Sequence, residues 1–72
     1  MFCSIYKSPK KAGAYLYVGL HADLNALPAP LLALFGKPEL SMKLVITPEK
    51  QLAQTTGEKV LAAIAEQSFY LQ

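Results

Sequence analysis

The sequence predicts an α+β fold: a four-stranded, mainly antiparallel sheet carrying two helices, in the order β-β-α-β-α-β. Three observations predict it. Two stretches rich in aromatic and β-branched residues, 2–6 and 14–19, flank a short lysine-rich turn. A leucine run opened by prolines and closed by a glycine has the punctuation of a short helix. Residues 56–67 have helical composition with one apolar stripe. At 72 residues the chain is expected to be one domain, residues 1–72, because a second independent core needs a longer chain.

The elements follow in order. In residues 2–6 the side chains alternate, Phe2, Ser4 and Tyr6 against Cys3 and Ile5. Residues 8–13 form the turn, where Pro9 fixes φ and Gly13 permits a positive one. Residues 14–19 return as the second strand, and so short a link predicts an antiparallel hairpin. Asp23 or Asn25 starts a turn. A helix then runs from about Pro28 to Phe35, stopped by Gly36 and blocked from continuing by Pro38.

Residues 40–46 alternate, with Leu40, Met42, Leu44 and Ile46 expected on one half-buried face and Ser41 and Lys43 on the other. Residues 47–50 form a loop. Thr55 has capping-box spacing to Glu58, and Thr56 is the alternative cap. Val60, Leu61, Ile64 and Ala65 make the stripe of the second helix, with Gly57 a mild cost in its first turn. Residues 68–72 read as a last short strand. The two helices either share one face of the sheet, leaving the other bare, or split to make it the middle of three layers.

Composition narrows the function. The chain is 53% hydrophobic and 17% charged, which argues against intrinsic disorder. No apolar run approaches the length of a membrane span, and nothing at the start reads as a signal peptide, so a cytoplasmic domain without membrane attachment is expected. One cysteine and one histidine make neither an internal disulfide nor a zinc site, and no metal or other cofactor is expected. All seven basic residues are lysine. Without arginine's planar fork, tight sequence-specific nucleic-acid binding is disfavoured, and weak, salt-sensitive binding stays open.

The Met-Phe-Cys-Ser-Ile-Tyr-Lys-Ser opening, the Tyr15-Leu16-Tyr17-Val18 strand, Phe35 to Leu40, Glu58-Lys59-Val60 and the closing Phe69-Tyr70-Leu71-Gln72 together resemble the YcgL-domain family of proteobacteria. The resemblance runs essentially from end to end, with the segments in the same order. It implies a small α/β domain with a sheet and flanking helices, and it carries no catalytic residue across, because the family defines none. Members commonly continue beyond the Tyr-Leu-Gln segment into a proline-containing tail, whereas this sequence stops at Gln72.

No catalytic motif stands in the residues, and an enzyme is not expected. Cys3 with His21 is the one conceivable nucleophile and base, set against a buried, inert thiol and a solvated loop histidine. Burial of the leucine-rich helix inside the monomer is the expected use of that helix, with a homodimer or a protein partner next.

The candidate binding surface rests on strand register. If Cys3, Ile5, Leu16 and Val18 face the helices, then Tyr6, Tyr15 and Tyr17 gather on the other face with Lys43 and Tyr70, fringed by Lys7, Lys10 and Lys11. Aromatics beside basic residues on a sheet are how several RNA-binding modules stack bases. Tyrosine is also simply favoured in half-exposed strands. The expected function is therefore a non-catalytic protein-binding or adaptor module of unknown partner, the alternative being weak single-stranded RNA binding on that tyrosine face. Whether the chain is a monomer or a homodimer stays open.

Overall fold

The computed structural model describes residues 1–52 and 54–72. Its elements are β1 (Phe2–Lys7), β2 (Tyr15–Gly19), a single 3-10 turn (Leu24–Ala26), α1 (Ala29–Phe35), β3 (Glu39–Val45), α2 (Gly57–Gln67) and β4 (Tyr70–Leu71). The strands form one antiparallel sheet in the spatial order β3-β1-β2-β4. The expected fold class and element order are therefore present. The 3-10 turn occupies the segment read as a simple turn, opened by the Asp23 carboxylate accepting from the Asn25 amide.

The hairpin register decides how the faces are used. Ser8 closes the turn: its hydroxyl accepts from the amides of Lys10 and Lys11 and donates to the Phe35 carbonyl. The loop length sets Ile5 across from Tyr17 and Tyr6 across from Leu16. Residues directly opposite share a face, so Cys3 and Ile5 lie with Tyr15 and Tyr17, while Tyr6 lies with Leu16 and Val18. The expected grouping of Cys3 and Ile5 with Leu16 and Val18 is corrected; it would need a slip of one residue. Its physical basis fails because both faces of the hairpin are covered, so neither strand shows a polar side.

The helices split. On one face Val60, Leu61 and Ile64 of α2 pack with Cys3, Ile5, Tyr17 and Ile46. On the other, Leu31 and Phe35 of α1 pack with Leu16, Val18 and Leu27. The sheet is thus the middle of three layers, with a core on each side.

Both helix ends are built by close approach. Gly36 ends α1 at φ 82° and ψ −169°, a region of the map that only glycine enters readily, and its amide donates to the Leu32 carbonyl at 2.9 Å. Thr56, not Thr55, caps α2, its hydroxyl accepting from the Lys59 amide. The next two amides donate to the preceding loop, Gly57 to the Lys50 carbonyl at 2.8 Å and Glu58 to the Pro48 carbonyl at 3.1 Å. That loop passes so near that a Cβ on Gly57 would overlap the Thr47 carbonyl oxygen. Gly57 is therefore required by approach of the backbone and is more than a tolerated cost. Ser68 ends α2 in the left-handed region, which shortens the expected strand at 68–72 to Tyr70 and Leu71.

Candidate functional site

The residues expected to form a stacking face are divided by the fold. Tyr15, Tyr17 and Tyr70 do meet, but beneath α2. Tyr17 is 6% exposed and packs edge-on against Tyr70, with ring centroids 5.7 Å apart. Its hydroxyl donates to Gln72 Oε1 and that of Tyr70 to Thr55 Oγ1, each at 3.0 Å. Burial, with the neighbouring Tyr70 and Tyr15 phenols adding to it, pushes the Tyr17 phenol above its ordinary range. Tyr17 is a satisfied part of the core on which no base can stack, and Tyr15 and Tyr70 pack half-buried against it.

Tyr6 is half-buried on the α1 side. Lys43 is exposed on β3 across from Ser4. Lys7 ends β1 between Tyr15 and Glu39, Lys10 reaches the Ala33 carbonyl at 3.2 Å, and Lys11 is exposed at the turn. Lys43 thus lies on the opposite face of the sheet from the tyrosine cluster and Lys10 reaches toward α1, whereas Lys7 stands directly across from Tyr15 on the same face.

Cys3 is fully buried, its thiol donating toward the Met1 carbonyl, and burial raises its pKa. That is the opposite of the depressed pKa that activates a thiol. His21 lies exposed after β2. Among the described residues no three histidine, cysteine or acidic side chains cluster as a metal site, and no helix is long and apolar enough to cross a membrane.

The chemistry left open lies at the edge of the sheet. Among the described residues β3 pairs only with β1, and its outer backbone edge runs for seven residues. Neither core cluster takes in Leu40, Met42 or Val45. Four of the seven large apolar side chains exposed among the described residues lie on β3 or across from it on β1: Phe2, Leu40, Met42 and Val45, at 48–53% exposure, while the Met1 side chain leans toward Gly19 of β2. Phe2 and Val45 are cross-strand neighbours. A register shift between Met42 and Leu40 places Leu40 opposite Tyr6 and Met42 opposite Ile5. Leu40 and Met42 therefore point to different faces, which corrects the single half-buried face expected for Leu40, Met42, Leu44 and Ile46. Only Ile46 is fully buried and Leu44 partly so, because α2 lies over β2 and β4 and does not reach the outer part of β3.

Two further exposed apolar residues, Leu34 and Leu71, line a groove of about 490 Å³ between the hairpin turn, α1 and the end of β4. Sequence alternation could not reveal either surface, since it reports what a strand could bury and not whether a helix arrives to cover it.

A model of the YcgL domain matches residues 3–72. The chain belongs to the YcgL domain family. A YcgL domain-containing protein of Stutzerimonas stutzeri is 53% identical over 72 residues, covering all of this chain and 74% of that protein. One from Saccharophagus degradans is 51% identical, covering all of this chain and 79% of its own length. A third, from Yersinia enterocolitica, is 49% identical and 80% covered. These names carry the YcgL domain and no activity, substrate or partner, so for this YcgL domain the geometry must carry the functional reading.

Proposed function

We propose that this YcgL domain is a non-catalytic, cytoplasmic protein-interaction module whose working surface is the outer edge of β3 with its apolar flank. The observation that carries this reading is the coincidence of an unpaired seven-residue edge with four half-exposed apolar side chains, Phe2, Leu40, Met42 and Val45. Addition of an extended segment to such an edge supplies main-chain hydrogen bonds, and alternate side chains of the added strand meet the flanking apolar residues. Large exposed apolar patches on small soluble domains mark interaction surfaces. The burial of Tyr17, with Tyr15 and Tyr70 half-buried against it, weighs against RNA stacking as the principal activity.

The test is selection from a random peptide display library. Enriched peptides should alternate apolar and polar residues, and Met42→Lys should abolish their binding while leaving the far-UV circular dichroism unchanged. Leu34→Lys, in the groove, should leave binding intact. Enrichment that depends on Leu34 and ignores Met42, or no enrichment above background, refutes the proposal.

A further inference from the structure

We infer that the strand received by β3 is β3 of a second copy of this chain, paired antiparallel about a two-fold axis to give one continuous eight-stranded sheet. This inference rests on the proposed use of the β3 edge and names its occupant.

Edge length argues first. The sheet has two edges, and β4 offers only two residues against seven in β3. Pairing β3 with β4 of the next copy would be short, would leave most of β3 uncovered and would repeat head to tail without closing, the geometry of an open filament. Pairing β3 with β3 matches equal lengths and closes after two copies.

Charge permits it. β3 carries one acid, Glu39, and one base, Lys43, so two copies of the strand bring no net charge together. Glu39 already stands across from Lys7 of its own chain, and Lys43 projects from the other face, across from Ser4. No ion pair between copies is called for, and the lysine and the bulge, devices that restrain edge pairing, keep the association weak.

Area argues second. Phe2, Leu40 and Val45 on one face and Met42 on the other, each about half exposed, present on the order of 300 Å² of apolar surface per copy. That is less than half of what one partner contributes to a standard interface of about 800 Å² per side, and the paired backbones add to it. A dimer of this size forms reversibly as concentration rises.

The experiment is sedimentation equilibrium of the intact chain from about 10 μM to about 1 mM, with circular dichroism of each variant as the control for folding. The mass should climb from 7.8 kDa toward twice that value. Met42→Lys and Leu40→Lys should hold it at the monomer mass, and Leu34→Lys, in the groove, should leave the dimer intact. A chain monomeric throughout the range, or a dimer indifferent to β3 substitutions, would overturn self-pairing. A monomer whose selected peptides are still lost with Met42→Lys leaves the β3 interaction surface standing and refutes only its occupant.

Discussion

Replacing Gly57 by alanine separates this structure from a generic helix. In an ordinary helix interior the substitution gains about 1 kcal/mol, because glycine loses more backbone freedom on folding. Here the added Cβ meets the Thr47 carbonyl oxygen, a backbone atom that cannot rotate away. Overpacking of this kind costs about 1–3 kcal/mol. Relief requires the 47–50 loop to move, which weakens the Gly57–Lys50 and Glu58–Pro48 hydrogen bonds, at about 1 kcal/mol each. Less the propensity gain, the net loss is about 2–4 kcal/mol. A small domain has on the order of 4–10 kcal/mol in total, and each kcal/mol moves the midpoint of a domain this size by about 4–8 °C. Thermal melting followed by circular dichroism should therefore show Gly57→Ala melting at least about 8 °C lower. Ala62→Gly, at an exposed position of α2, is the control, expected to lose only about 1 kcal/mol. A Gly57→Ala variant as stable as the parent, or more so, would refute the close approach that fixes the start of α2.

Three further outcomes follow from the same contacts. Ser8→Ala removes the hydroxyl that joins the hairpin turn to the end of α1 and should cost about 2–3 kcal/mol in urea unfolding; a change within error would mean the turn closes without it. The Tyr17 phenol has its pKa raised by burial and by its tyrosine neighbours, so the unfolded chain releases this proton first as pH climbs past the ordinary value of 10. Stability should be unaffected by this group below that pH and should fall above it, a fall that Tyr17→Phe lessens; an equally steep decline in that variant would contradict the assignment. The Cys3 thiol, buried and with its pKa raised, should react with a disulfide reagent far more slowly in the native chain than in denaturant, and equal rates would reopen it as a reactive group.

What could be read from the residues depended on whether the signal was local. The strand, turn and helix punctuation is local: Pro9 and Gly13 in the turn, Gly36 at the end of α1, the stripe of α2. These elements lie within a residue or two of where the sequence put them. Choosing Thr56 over Thr55 as the cap depends on Thr55 being drawn to the distant Tyr70 hydroxyl, a contact that local spacing does not contain. The hairpin register depends on how Ser8 folds the loop, and a two-sided sheet gives no polar face to correct an error of one residue. Strand order is further still from local information. The alternation of Leu40, Met42 and Leu44 predicts a strand with an apolar side, but exposure of β3 follows from its place at the sheet edge, beyond the reach of α2. The candidate surface was thus visible as apolar residues and invisible as a surface.

The central claim, that the edge of β3 is open in the single chain and is the surface used for association, is tested most directly by residue-resolved amide hydrogen exchange at two protein concentrations. In dilute solution the outward-pointing amides of β3 should exchange far faster than those of β1, which is paired on both sides. At high concentration those same amides should gain protection while the groove around Leu34 and Leu71 stays unchanged. Uniformly slow exchange along β3 in dilute solution, or protection that rises at the groove and not at the edge, would contradict the account.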